Sequence, residues 1–144
     1  MKEMVYKPKT EIEVLDNGEY GGRKYLILSL GIHPTAYVSV SDKEDKTIES
    51  SLREHDFTKQ DSSLFNKINV HGGFSFYGNR AEVTGDRNTV YVGWDYGHCS
   101  DFSGIYQLRE FSSYGIGLKH WTTSEILAEV KSVIEQLNEL EVFK

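Results

Sequence analysis

Asp95, His98 and Asp101 recur at three-residue intervals within Gly93-Trp94-Asp95-Tyr96-Gly97-His98-Cys99-Ser100-Asp101, directly after the apolar run Thr89 to Trp94. A loop that leaves a strand with this spacing can turn two carboxylates and an imidazole toward one point. Upstream, His71 heads His71-Gly72-Gly73-Phe74 beside another apolar run and can join them from a neighbouring strand. Neutral imidazole and carboxylate oxygen ligate divalent metals, and the same groups exchange protons near neutral pH. The set His71, Asp95, His98 and Asp101 therefore suits either a bound ion or acid/base work. A divalent metal is compatible with the pattern without being demanded by it.

Each of these residues has a structural reading beside the chemical one. His71 before Gly72 and Gly73 can simply hydrogen-bond a backbone carbonyl where the chain bends, with the glycines serving geometry. Asp95 can cap its own turn, and His98 and Asp101 can form a bracing pair. Cys99 adjoins His98, but neighbouring residues on an extended chain face opposite sides, which argues against a paired nucleophile. The aromatics Tyr77, Tyr91, Trp94, Tyr96, Phe102 and Tyr106 suit stacking on a nucleobase or lining a protein contact, while strand alternation sends half of them to the core. Arg80, Arg87 and Lys119 lie near these loops in sequence and offer positive charge to an anionic ligand. Gly72-Gly73 is too short and too generic for a phosphate loop.

The elements that must position this set are those of one α+β domain spanning residues 1–144. A chain of this length buries roughly 68–70% of its unfolded surface, enough for one core. Hydrophobic residues at 38%, aromatics at 12% and two prolines describe a folded chain. Strand-like runs cover Glu11 to Leu15, Lys24 to Leu30, Ala36 to Val40, Ile68 to Phe76 and Thr89 to Trp94. Asp16 to Gly22, with Asn17-Gly18 and Gly21-Gly22, reads as the hairpin connection between the first two. The charged stretch Ser41 to Gln60 fits either a loop or a short helix. Thr122-Thr123-Ser124-Glu125 matches a capping box. From it, Ile126, Leu127, Val130, Val133, Ile134, Leu137 and Leu140 form one apolar helical face over Thr123 to Leu140. Strands first and a long helix last predict a mainly antiparallel sheet of about five strands, with the amphipathic carboxyl-terminal helix on one face.

The formal charge of −6, from 22 acidic and 16 basic residues, argues against direct nucleic-acid binding, which needs clustered Lys and Arg. A protein partner with a basic groove is favoured instead. The amino terminus lacks the apolar run of a signal peptide, and no apolar stretch approaches the ~20 residues that span a bilayer, so the expectation is a cytoplasmic protein without membrane contact. Cys99 is the sole cysteine, so no internal disulfide exists.

Three blocks carry a resemblance. Gly31 to Val40 (Gly-Ile-His-Pro-Thr-Ala-Tyr-Val-Ser-Val), Val70 to Phe76 and Val92 to Asp101 resemble a family of small uncharacterised proteins of phages and mobile elements. Those proteins show a Val-His-Gly-Gly-(Leu/Ile)-Thr block, then Gly-Phe-Asp-Cys-Ala-His-x-x-Asp, then a Glu-, Leu- and Gln-rich helix. The likeness covers roughly residues 24 to 140. This chain departs from it at Phe74-Ser75, Trp94 and Tyr96-Gly97, and by Cys99 after the histidine, yet keeps the histidine and both aspartates. The resemblance implies a phage or prophage origin; small size, acidic balance and this resemblance together motivate the expectation of a role against host immunity in a bacterial host, such as anti-CRISPR activity. It carries no activity across.

Three functions follow as expectations. The first is a non-enzymatic accessory protein that binds a host defence protein or a nucleotide-like signal. The second is a metal-dependent hydrolase in which an ion held by His71, Asp95, His98 and Asp101 lowers the pKa of bound water. In the third, the same residues only brace a scaffold.

Overall fold

The structure is a computed structural model that describes residues 12–29, 33–54, 67–97 and 121–144. Strand β1 (Glu13–Tyr20) turns directly into β2 (Arg23–Ser29) through Gly21 and Gly22, whose φ angles are +58° and +82°. A two-residue hairpin loop with φ positive at both positions strongly favours glycine. Because this pair alone closes the hairpin, the ladder runs on through Asn17 and Gly18, which pair with Leu26 and Tyr25. The connection is thus tighter than the Asp16 to Gly22 expectation. Gly18 is needed for space: a Cβ there would come within 2.9 Å of the Tyr25 hydroxyl.

Strand β3 (Pro34–Val40) lies antiparallel to β2, and β5 (Val90–Asp95) antiparallel to β3. The short β4 (Phe76–Gly78) closes the far edge, giving the order β1-β2-β3-β5-β4 with every pair antiparallel. Only the end of the expected Ile68 to Phe76 strand joins the ladder. Gly72 and Gly73 have φ of +70° and +81°, and the Gly73 amide donates to the Val70 carbonyl at 3.0 Å. Two successive residues in the left-handed region cannot continue a strand, so the chain turns at His71. Ile68 and Val70 are still buried.

The charged stretch after β3 is a helix, α1 (Asp42–Glu54), begun by a reciprocal cap. The Glu44 amide donates to Ser41 Oγ at 3.2 Å and the Ser41 amide to Glu44 Oε1 at 2.8 Å. Asp42, Glu44 and Asp45 in the first turn complement the helix dipole. One short turn, α2 (Ala81–Thr84), precedes β5. The carboxyl-terminal α3 (Thr123–Glu139) has the expected capping box between Thr122 and Glu125, and its apolar stripe Ile126, Val130, Val133, Ile134 and Leu137 is buried. A 3-10 turn (Glu141–Phe143) ends the chain.

Strand alternation divides the sheet's two faces. Ile27, Ala36, Val38, Val92 and Trp94 pack with the α3 stripe, while Leu26, Leu28, Tyr37 and Tyr91 pack with Phe76 and Val83 on the other side. This is an α+β fold, and among the described residues no helix is long and apolar enough to cross a membrane.

One buried ion pair ties the helices to the sheet. The Arg23 guanidinium grips both Glu44 oxygens at 2.7 and 2.6 Å and also donates to the Ser39 carbonyl and Asn138 Oδ1. Four elements, β2, β3, α1 and α3, meet there.

Candidate functional site

The second polar block lies at the end of β5, where alternation decides what each residue meets. Trp94 and Tyr96 face α3 and are 1% and 0% exposed. Their polar atoms are paired inside the core, as buried polar groups must be. Trp94 Nε1 donates to the Tyr96 hydroxyl at 2.9 Å, and that hydroxyl donates to Glu129 Oε1. The other Glu129 oxygen accepts the His71 backbone amide at 2.7 Å. One carboxylate from α3 thereby fixes both glycine-flanked blocks.

His71 is half-buried in the same group. Its ring stacks on Tyr96 with centroids 4.9 Å apart and planes 12° from parallel, and meets the edge of Trp121 at 4.9 Å. Trp121 in turn lies 4.8 Å from Tyr96, and Phe74 packs edge-on to Trp94 at 5.9 Å. The turn at Gly72-Gly73 is what delivers His71 to this wall: it swings the ring under α3 where a continuous strand would have carried it along the ladder.

Asp95 points the other way. Between Trp94 and Tyr96 on an extended strand, its side chain takes the opposite face. Its Oδ1 accepts the Gly97 amide at 3.0 Å, the cap anticipated from sequence, and its Oδ2 accepts from Ser75 Oγ at 3.0 Å. Thr35 pairs with Asp95 across the ladder, and its buried hydroxyl oxygen has no hydrogen-bond partner among the described residues. Gly97 continues close against His33, where a Cβ would stand 2.7 Å from the imidazole.

His98, Cys99 and Asp101, with Lys119, lie outside the described residues. Of the four proposed ligands, His71 and Asp95 are therefore the two with a place in the structure, one on the α3 side of β5 and one on the reverse. Among the described residues, no group of three or more His, Cys, Asp or Glu is placed to hold a metal ion. Arg80 is far from being a loose cation near His71. Its guanidinium lies 4.9 Å over Tyr37 and 5.1 Å over Phe76, on the reverse face, and pairs with Glu82 at 2.7 Å. Arg87 is exposed.

Two members of the site, Glu129 and Trp121, are not singled out by residue type or spacing. The signal for Glu129 was its position three residues after Ile126 and one before Val130, at the border of the buried stripe. Comparison with protein-family models, with curated proteins and with solved structures finds no match for this chain.

Proposed function

We propose that this chain is a phage-type accessory protein that counters host immunity by binding, without turnover, to a component of a host defence system. One observation carries the binding reading. The two blocks are held together: the His71 backbone amide and the Tyr96 hydroxyl end on Glu129, the His71 ring stacks on Tyr96, and Asp95 accepts from Ser75. The half-buried rings of His71, Phe74 and Trp121, backed by the buried Trp94 and Tyr96, are suited to contact, since held rings lose little conformational freedom on binding.

Of the two ligands considered, a host defence protein is favoured over a nucleotide-like signal. A nucleotide needs cations beside the aromatic wall, and Arg80 is committed to Tyr37 and Phe76 on the reverse face. The net charge of −6 suits a basic partner surface. The phage-type resemblance of the two blocks supports the direction of the effect.

The assay is expression in bacterial hosts that each carry one immune system, followed by phage challenge. Restored plating against at least one system is expected, with no multiple-turnover cleavage by the purified protein. Failure against every CRISPR, cyclic-nucleotide and NAD-linked system, with metal-stimulated phosphoester cleavage in vitro, would overturn the proposal in favour of a hydrolase.

A further inference from the structure

The start of β3 and the end of β5 gather a second polar group, on the face away from α3. Thr35 stands directly opposite Asp95 in the ladder, and the Tyr96 amide still donates to the Pro34 carbonyl at 3.0 Å. That bond makes Pro34 and Tyr96 the hydrogen-bonded position, so Thr35 and Asp95 form the narrow pair, whose side chains stand closest. One step further His33 meets Gly97, again on the reverse face. The Cδ2–Nε2 edge of the imidazole lies 2.7 and 2.8 Å from where a Gly97 Cβ would stand, so only glycine leaves room for the ring there.

The surroundings set each polar atom. Asp95 is oriented from both sides, by the Gly97 amide on Oδ1 and by Ser75 Oγ on Oδ2. Thr35 is 5% exposed, and its Oγ1 is a buried oxygen without a partner among the described residues. Such a group costs stability unless something completes it, and an ion is one of the few species that do. His33 Nδ1 lies 3.3 Å from the Pro34 carbonyl oxygen, which only accepts. That contact keeps the proton on Nδ1 and the lone pair on Nε2, the arrangement typical of a metal-binding histidine.

Charge and size select the occupant. Imidazole nitrogen, carboxylate oxygen and hydroxyl oxygen are all lone-pair donors, and the carboxylate repels an anion. The burial of Thr35 Oγ1 excludes a ligand of many atoms. One nitrogen beside hard oxygens suits an ion of intermediate softness, such as Zn²⁺ or Mn²⁺. Two strong donors and a hydroxyl are fewer than a full protein shell, so water must complete the coordination.

We propose that His33, Asp95 and Thr35 hold a divalent transition-metal ion that clips the start of β3 to the chain leaving β5. This site lies across the sheet from the His71 wall and does not depend on the counter-defence role.

The test titrates Zn²⁺ and Mn²⁺ separately into the full chain, purified without a histidine tag and stripped with chelator. Zn²⁺ should raise the melting temperature, since an ion that binds only the folded state stabilises it. Mn²⁺ should broaden the amide NMR signals of Thr35, Asp95 and Gly97 ahead of all others. His33→Ala and Asp95→Asn should each weaken Zn²⁺ binding about tenfold or more by calorimetry, the scale of a lost metal-site residue. Thr35→Val keeps the shape and removes the hydroxyl. It should weaken binding less, without lowering the metal-free melting temperature, because it removes a polar atom that lacks a partner. No binding of either ion, or unchanged affinity in His33→Ala or Asp95→Asn, would overturn the proposal. So would broadening centred on His71, which would place the ion on the α3 side. The titration uses no phage, so its failure is distinguishable from a failure to restore plating.

Discussion

The ring of His71 lies parallel to that of Tyr96 at 4.9 Å, and the His71 amide and Tyr96 hydroxyl end on the two oxygens of one carboxylate, Glu129. Twenty-odd residues of chain separate the two rings, and a helix from the other end of the molecule joins them. The stack is therefore a tertiary contact that couples the order of both glycine-flanked blocks to the docking of α3.

Removing the Tyr96 hydroxyl leaves a Glu129 oxygen and Trp94 Nε1 without their partner. Tyr96→Phe should destabilise by about 1–3 kcal/mol, the cost of unpaired buried polar groups. Urea denaturation measures this. A loss under about 0.5 kcal/mol would show that water replaces the hydroxyl.

Substituting His71 separates its ring from its nitrogens. His71→Phe keeps a flat ring against Tyr96 and Trp121 and should change stability by less than about 0.5 kcal/mol. His71→Ala should cost about 0.5–1.5 kcal/mol from lost ring packing. Equal melting temperatures for His71→Ala and the wild type would show that the stack contributes nothing to the fold.

Arg23 and Glu44 have side chains only 8% and 13% exposed. Arg23→Ala should cost about 3–5 kcal/mol, because it strands a buried carboxylate. Burial pushes the Glu44 carboxyl up, but the hydrogen bonds and charge of Arg23 and the Ser41 amide outweigh it, leaving the carboxyl below its ordinary value of 4.5. A carboxyl lowered in the folded state stabilises above the unfolded pKa and loses that contribution as pH falls through the folded one. The stability difference between wild type and Glu44→Gln should therefore be full at neutral pH and shrink below about pH 4.5. A difference that is flat down to pH 3 would contradict it.

On α3, Ile134 is fully buried whereas Leu127 packs only at the margin of the core. Ile134→Ala should cost about 2–5 kcal/mol and Leu127→Ala distinctly less. Equal losses in thermal or urea unfolding would mean that α3 sits rotated from the orientation described.

The helix α3 was legible residue by residue: Thr122 and Glu125 are close enough in sequence to cap each other, and the apolar stripe repeats with the helical period. The antiparallel sheet was legible from alternation, and so was the Asp95 turn, because Gly97 is two residues away. For the helix and the turn the deciding interaction is local, and for the sheet the signal is the alternation within each strand. What local chemistry left open was settled by distant partners. Ser41 to Gln60 reads as loop or helix; it is helical over Asp42–Glu54, where Arg23 takes Glu44 and Ile48 enters the core, and residues 55–60 lie outside the described residues. Ile68 to Phe76 has strand composition throughout, yet two glycines at positive φ turn it so that only its end, Ser75 and Phe76, meets Gly93. His71 and Asp95 look alike as candidates in the chain. His71 reaches the α3 wall because the chain turns at Gly72-Gly73, whereas Asp95 takes the reverse side because the strand sends it opposite Trp94, and only the packed helix defines which face is which.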